Sequence, residues 1–243
     1  TRYAREAKIA GKQWDSVAPA KNPPNIFGGY APLAEPEKCL SHTVPLKPQR
    51  LMHHLCTTLP DEARVFVDAG NGWSWATHYF TRRNRSGYYR VAMGFGSMGW
   101  SIGAAIGAAV ANPEAPMVCI VGDGSYLMSA QEITVAAQQQ VPVVFVLLND
   151  AAMGMVMHGQ KLGGQESIGW QLNTINYAAQ VQAMGINAHV IETPQQLSDI
   201  DWSELFSRAG PTLLDVRIDK NEVPPMGERV KGLAIDAPVT PGA

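Results

Sequence analysis

The fold is decided by residues 117–150, which read MVCIVGDGSYLMSAQEITVAAQQQVPVVFVLLND. Two apolar runs, Met117–Val121 and Val143–Leu148, flank a segment with helical spacing. Short runs without polar alternation are typical of strands that are buried on both faces of a parallel sheet. We therefore predict one βαβ unit here, with a helix at 129–140 between two neighbouring strands.

The same alternation of strands and helices continues on both sides of this unit. We predict strands at 64–68, 89–93, 188–192 and 212–218, and helices at 48–59, 74–82, 98–111, 174–184 and 194–208. Two helix starts carry capping boxes, Ser129 with Glu132 and Thr193 with Gln196. The fold class is therefore α/β, a mostly parallel sheet with helices on both faces.

The composition changes along the chain and indicates three parts. Residues 1–45 are rich in proline and polar spacers, which is typical of an extended linker or arm. The strand and helix pattern occupies 46–220, which we predict to be a single α/β domain. Residues 221–243 follow the last predicted strand and form a C-terminal tail.

Charge and cysteine content exclude several classes of function. The 243 residues carry a net charge of −2, which argues against binding to nucleic acid or to an anionic membrane. The segment 91–111 has no formal charge, but its five glycines make it a poor membrane anchor and favour a buried core segment. Three widely spaced cysteines favour the reducing cytoplasm over a disulfide framework.

Two carboxylates follow the two strands of the βαβ unit. Asp123 lies between Gly122 and Gly124 after the first strand, and Asp150 follows the second. Neighbouring strands lie about 4.8 Å apart, so both carboxylates are expected within reach of one small cation, Mg²⁺ or Ca²⁺. The alternative is that Asp123 is a turn residue and Asp150 a helix cap.

A phosphate ligand would suit the absence of basic residues around this pair. No lysine or arginine occurs from Val91 to Gln160, so phosphate would be held by the metal, by glycine-rich backbone N–H groups and by helix N-termini. The sequence has no P-loop motif, which excludes that kind of nucleotide site. Gly94-Phe95-Gly96-Ser97-Met98-Gly99 does match the dinucleotide fingerprint, so an NAD(P)-binding dehydrogenase domain is an alternative.

Four motifs, in order, resemble those of thiamin diphosphate enzymes. Gly122-Asp123-Gly124 followed by Asn149-Asp150 is similar to the signature that opens with GDG and closes with two asparagines. The other three segments are similar to family segments as well: DAGNGWSWA at 68–76, GSMGWSIGAAIG at 96–107 and GMV at 154–156. Over residues 46–220 the chain resembles the C-terminal, diphosphate-binding domain of the acetolactate synthase-like group.

The resemblance implies a role for each matching residue. Mg²⁺ would be bound by Asp123, Asp150 and the backbone carbonyl of Ala152. The Gly96 carbonyl would accept a hydrogen bond from the cofactor's 4′-amino group, and Met98 would force the cofactor into its bent conformation; both are implied as catalytic. The remaining residues implied to hold the cofactor are Asn71, Gly72, Gly122, Gly124, Ser125, Met153, Gly154, Met155 and Val156.

The resemblance also implies an activity and a partner. Family enzymes act on 2-oxo acids by decarboxylation, carboligation or both, as oligomers of one or two kinds of subunit. They use a glutamate on a separate pyrimidine-binding domain, and nothing in this chain resembles that domain. We therefore expect the chain to need one from another segment or subunit. The alternative is a non-catalytic, cofactor-binding relative.

Three positions depart from the family pattern. Asp150 replaces the usual asparagine, and Gly103 stands where proline is usual. Gly159 falls where acetolactate synthases carry a tryptophan that shapes the substrate pocket. Acetolactate synthesis itself is therefore not implied.

Overall fold

The described strands form one parallel β-sheet, and the helices connect its strands. The computed structural model describes residues 33–80, 89–92 and 94–225. Its six strands are β1 (Arg64–Val67), β2 (Tyr89–Val91), β3 (Met117–Gly122), β4 (Val143–Asn149), β5 (Asn187–Ile191) and β6 (Thr212–Arg217). They lie in the order β2-β1-β3-β4-β6-β5, and every pair is parallel. The predicted α/β class is confirmed, and each predicted strand is present to within two residues where it is described.

Helices connect the strands. They are α1 (Pro48–Thr58), α2 (Asn71–Tyr79), α3 (Trp100–Ala111), α4 (Asp123–Ser129), α5 (Ile133–Gln138), α6 (Gly154–Leu162), α7 (Tyr177–Gln182), α8 (Pro194–Ser198) and α9 (Trp202–Ser207). Two 3₁₀ helices, Pro36–Leu40 and Ala130–Glu132, complete the set in the described residues. None of the helices in this part of the chain is both long and apolar enough to cross a membrane.

The core explains why the central strands are uniformly apolar. Alternate residues such as Cys119 and Phe145 belong to one cluster with α3, α4 and α7. Their neighbours Val118 and Val144 point to the opposite face, because successive strand residues alternate. These neighbours are also fully buried, so both faces of the sheet are covered.

Several predicted helices have different bounds. The helix predicted at 129–140 is confirmed only over α5 (Ile133–Gln138). The first helix of this connection, α4, begins at Asp123 directly after β3, and the 3₁₀ turn at 130–132 separates it from α5. Ser129 therefore makes no capping hydrogen bond, whereas the capping box of Thr193 with Gln196 is confirmed. The helix predicted at 194–208 is two helices, and α6 lies in a segment for which no helix was predicted.

The remaining differences lie at helix ends. The helix predicted from 74 begins at Asn71, and its predicted end at 81–82 lies outside the described residues. The helix predicted at 174–184 is the shorter α7, which begins at Tyr177 because the Asn176 side chain accepts a hydrogen bond from Ala179 N.

The two ends of the described chain meet in a terminal ion cluster, which we define as Lys38, Lys47, Gln49, Asp219 and Glu222. Lys47 Nζ lies 2.8 Å from Asp219 Oδ2 and 2.6 Å from Glu222 Oε1, and Lys38 Nζ lies 2.7 Å from Glu222 Oε2. Gln49 Nε2 also donates to Glu222 Oε2. This cluster joins the 3₁₀ helix at 36–40 and α1 to the segment after β6.

The predicted arm and tail lie mostly outside the described residues. Within the part that is described, Pro36–Leu40 is helical and contacts α1, and Glu222 is buried in the terminal ion cluster. Packed structure therefore extends beyond positions 46 and 220. The division into arm, domain and tail stays a prediction for 1–32 and 226–243.

Candidate functional site

A cavity of about 240 Å³ lies where the central strands end. It opens at the carboxyl ends of β1, β3 and β4, on both sides of the point where the strand order reverses, which is the usual ligand position in open parallel sheets. Helices α2 and α6 begin at its wall, at Asn71 and Gly154. Their N-termini present backbone N–H groups and a partial positive charge, which favours an anionic ligand.

The structure brings all the residues that the sequence assigned to the site around this one cavity. They are Asn71, Gly72, Gly96, Met98, Gly122, Asp123, Gly124, Ser125, Asp150, Ala152, Met153, Gly154, Met155 and Val156. Ala69, Gly70, Leu148 and Ile218 complete the lining. That these residues bind a diphosphate and a metal ion stays a prediction.

The two carboxylates are removed from water to different extents: Asp123 is buried and Asp150 is half-buried. Asp123 is 2% exposed; its Oδ1 accepts a hydrogen bond from Gly124 N at 2.8 Å, and Oδ2 has no hydrogen-bond partner among the described residues. Burial raises the pKa of Asp123 to about 6, although nearby backbone N–H groups oppose the shift. Burial and the charge of Asp123 raise the pKa of Asp150 to about 7.

The side chains that line the cavity suit a bound cation. None of the described residues lining the cavity is a lysine, an arginine or a histidine. The described chain also holds no group of three or more His, Cys, Asp or Glu side chains suited to a metal. Two carboxylates, a backbone carbonyl and oxygens of a bound phosphate are the donor set that Mg²⁺ accepts. The residues present therefore fit the predicted ion.

The loop between β4 and α6 holds its shape through a distant segment. Ala151 has φ +53°, a left-handed conformation that is unusual for alanine. Its carbonyl accepts from Leu172 N at 2.9 Å, and Met153 N donates to Trp170 O at 2.6 Å. Residues 170–172 therefore fix the backbone that carries Asp150 and Ala152. Sequence reasoning missed this support, because no local signal connects the two segments.

Two glycines allow the walls of the cavity to approach closely. A Cβ on Gly124 would stand 2.4 Å from Met153 Sδ and 3.6 Å from Met98 Cε. A Cβ on Gly154 would stand 2.4 Å from Asn71 Nδ2. Any larger residue at Gly154 must therefore displace the Asn71 side chain, and one at Gly124 must displace Met153.

Asp68, at the end of β1, anchors the glycine-rich loop before α3. Its carboxylate is 1% exposed and accepts hydrogen bonds from Gly99 N at 2.9 Å and Ser101 N at 2.8 Å. A dinucleotide fingerprint would need these helix N-terminal amides for its pyrophosphate. Because Asp68 already occupies them, the structure argues against the NAD(P) interpretation.

A buried histidine lies beside the cavity lining. The side chain of His158, in α6, is 2% exposed. Its Nδ1 lies 3.0 Å from Asn71 Nδ2 and its Nε2 lies 3.1 Å from the carbonyl of Lys220. Three segments distant in sequence meet at this ring, so no local pattern could have placed it.

Comparison with known proteins gives one family and a consistent set of relatives. Residues 68–216 match the family described as "Thiamine pyrophosphate enzyme, C-terminal TPP binding domain". The chain is 31% identical over 198 residues to a probable acetolactate synthase large subunit of Methanococcus aeolicus, a match that covers 75% of this chain and 32% of that protein.

Two further relatives carry related names. The acetolactate synthase isozyme 1 large subunit of Escherichia coli is 32% identical, covering 73% of this chain and 32% of that protein. The mitochondrial acetolactate synthase catalytic subunit of Saccharomyces cerevisiae is 34% identical, covering 79% of this chain and 28% of that protein. The chain thus spans about a third of the length of the curated relatives it matches.

Proposed function

The chain belongs to the family of C-terminal thiamine pyrophosphate-binding domains of thiamine pyrophosphate (thiamin diphosphate) enzymes, and from this membership we propose that it binds the diphosphate of that cofactor through Mg²⁺. The observation that carries the proposal is a pair of carboxylates, the buried Asp123 and the half-buried Asp150, in a cavity whose described lining contains no lysine, arginine or histidine. Ionised carboxylates repel a diphosphate anion, and a divalent cation held by Asp123 and Asp150 would offset that repulsion.

Each part of the cavity has a proposed task. Asp123, Asp150 and the Ala152 carbonyl hold Mg²⁺, and the backbone at 153–156 together with Gly124 and Ser125 holds the diphosphate. Met98 and Gly96 shape the space for the rest of the cofactor, with the Gly96 carbonyl as the acceptor for its amino group. When bound, the cofactor supplies a carbon nucleophile and an electron sink for chemistry beside a carbonyl group.

The whole enzyme is proposed to act on a 2-oxo acid in the cytoplasm. The relatives are named as acetolactate synthases, which supports decarboxylation or carboligation as the reaction class. Gly159 leaves open space where those synthases carry a tryptophan, since a Cβ there would meet no atom within 4 Å. We therefore propose a substrate or acceptor that differs from that of acetolactate synthesis.

A pyrimidine-binding domain is proposed to complete the active site. The chain spans about a third of its relatives' length, which supports a contribution from another segment or subunit and an oligomeric enzyme. Intact mass and a denaturing gel of the purified protein test this proposal. A second polypeptide, or one longer chain, supports it; a fully active enzyme made of this chain alone contradicts it.

Titration calorimetry tests the cofactor assignment. We expect thiamin diphosphate to bind in the presence of MgCl₂, and binding to disappear in EDTA. Thiamin without its diphosphate is the matched control, and it should bind far more weakly because it lacks the group that the metal holds. Tight binding of NADH, with none of thiamin diphosphate, would instead support the dehydrogenase alternative.

A further inference from the structure

No direct contact with the cofactor or the metal is proposed for His158, yet its ring contacts Asn71, which lines the cavity. Its ring is buried in α6 between Asn71, at the start of α2, and the carbonyl of Lys220, after β6. A backbone carbonyl can only accept a hydrogen bond, so the ring nitrogen facing Lys220 must carry the proton. In a neutral ring, Nδ1 is then an acceptor.

The state of the ring decides the orientation of the Asn71 amide. A side-chain amide has a donor end and an acceptor end of nearly equal size, so only its partners fix which end points where. Nδ1, as an acceptor, requires the donor end, and Asn71 Nδ2 lies 3.0 Å from it. The reversed amide would place two acceptors against each other.

The same amide nitrogen packs against Gly154, while Oδ1 of Asn71 is buried without a hydrogen-bond partner among the described residues. Nδ2 lies beside the α-carbon of Gly154, where a Cβ would stand only 2.4 Å from it. Gly154 and Asn71 both line the cavity. An amide nitrogen carries two N–H groups, and no described residue accepts the second. This donor suits a phosphate oxygen, whereas the reversed amide would offer an acceptor that repels it.

We propose that His158 is a positioning residue: as the Nε2–H tautomer it holds the amide nitrogen of Asn71 on the cavity side, so that the site accepts an anionic oxygen. The inference rests on the proposed diphosphate function for its purpose, but the tautomer and the amide orientation exist without a ligand. Burial lowers the pKa of His158 despite the Lys220 carbonyl, which is consistent with a neutral ring.

The terminal ion cluster holds the backbone around Lys220, whose carbonyl accepts the hydrogen bond from His158. Asp219 and Glu222, on either side of Lys220, are bound to Lys47 at 2.8 and 2.6 Å. The backbone is held as well, because Asp219 N donates to Leu46 O at 2.9 Å. The carbonyl that selects the tautomer therefore has a fixed position.

Nuclear magnetic resonance of the ¹⁵N-labelled 243-residue chain, without cofactor, tests the positioning directly. We expect the histidine nitrogen shifts of His158 to show the Nε2–H tautomer. We also expect the Asn71 side-chain amide to exchange slowly with water. The Nδ1–H tautomer, or an Asn71 amide that exchanges as fast as that of exposed Asn173, would overturn the proposal.

Two variants separate positioning from packing. In His158→Gln the Gln amide can accept from Asn71 and donate to Lys220, so slow exchange should persist. In His158→Leu both hydrogen bonds are lost, and exchange of the Asn71 amide should become fast while far-ultraviolet circular dichroism shows a folded protein. If His158→Leu does not fold, loss of slow exchange in His158→Gln would still contradict the proposal, and its retention would support it.

The consequence for the ligand is measured in the assembled enzyme. We expect the thiamin diphosphate concentration for half-saturation to rise about tenfold in His158→Leu, the effect of losing one well-placed hydrogen bond, and much less in His158→Gln. Equal values in all three proteins would show that Asn71 needs no positioning. If wild-type enzyme binds no thiamin diphosphate while the tautomer is as expected, the proposed function fails and the positioning stands.

Discussion

Asp123 and Asp150 in the cavity differ from Asp219 and Glu222 in the terminal ion cluster by what lies beside them. The second pair contacts Lys47, and burial alone would raise the pKa of Glu222, but hydrogen bonds from Lys38, Lys47 and Gln49 lower it to about 2. Among the described residues no basic side chain forms a hydrogen bond or ion pair with the first pair, and burial raises both of its pKa values; the charge of Lys220 opposes the shift of Asp150 only in part. We therefore expect the second pair to stabilise the fold and the first pair, when ionised, to destabilise it.

The charges around a buried carboxylate therefore help to distinguish a ligand-binding site from a structural ion pair. A buried carboxylate whose charge is compensated within the protein belongs to the structure, whereas one whose charge is left uncompensated at a cavity is a candidate for ligand binding. Neutralising one carboxylate in either pair tests this distinction. The expected changes in the free energy of unfolding have opposite signs for the two pairs.

The largest effect is expected from removing Asp123. Asp123→Ala should weaken Mg²⁺-dependent binding of thiamin diphosphate more than about a hundredfold, because a direct metal ligand matters more than the outer partners whose loss costs ten- to a hundredfold. Calorimetry measures the binding. The exposed Glu114→Ala, from the same acidic, lysine-free stretch, is the matched control and should bind as wild type. Unchanged binding in Asp123→Ala would refute the metal assignment.

A smaller effect, of stability rather than binding, is expected at Glu222. Glu222→Gln should lower the free energy of unfolding by about 2 kcal/mol at pH 7, since Lys38 and Lys47 lose the carboxylate that they share. The folded-state pKa lies below the usual value, so this stabilisation exists above about pH 4.5 and is lost as the pH falls towards 2. Urea unfolding measures both.

The matched control for Glu222 is an exposed ion pair. Glu204 lies 3.5 Å from Arg208, and its side chain is 65% exposed. Glu204→Gln should therefore change stability by less than about 0.5 kcal/mol. Equal losses in the two variants would mean that burial adds nothing to the terminal ion cluster.

The smallest effect is expected at Asp150 and has the opposite sign. In EDTA at pH 8, Asp150→Asn should raise the free energy of unfolding by about 1 kcal/mol, because it removes a half-buried charge that Asp123 repels. The raised pKa of about 7 means that the folded state prefers the protonated carboxyl, so the wild type loses stability as the pH rises from about 4 to 7.

The pH dependence provides the control for this variant. At pH 3 the Asp150 carboxyl is mostly protonated in both the folded and the unfolded wild type, so Asp150→Asn and wild type should unfold at nearly the same urea concentration. The exposed Asp199→Asn should show no such dependence on pH. Destabilisation by Asp150→Asn at pH 8 would show that the carboxylate is compensated by a group in the fold, and the comparison would fail.

Much of the site was predictable because its residues lie at strand ends. Gly122-Asp123-Gly124 and Asp150 each follow an apolar run, and parallel strands bring their carboxyl ends to one edge. The strands themselves were predicted to within two residues, since uniform apolar runs have few alternative structures. Helix bounds were less predictable. The helix α4 begins at Asp123, directly after β3, and its N-cap residue Gly122 has no side chain that could signal the boundary.

The order of strands and helices, the two carboxylates and the glycines around them could be predicted, because these depend on periodicity and on residues close in the chain. Three contacts could not be predicted: Asp68 anchors the loop before α3, residues 170–172 hold Ala151, and His158 is buried between Asn71 and Lys220. These contacts join residues tens of positions apart or on different connections of the sheet. A hydrogen bond needs its two atoms within about 3 Å, and only the packed sheet sets such distances.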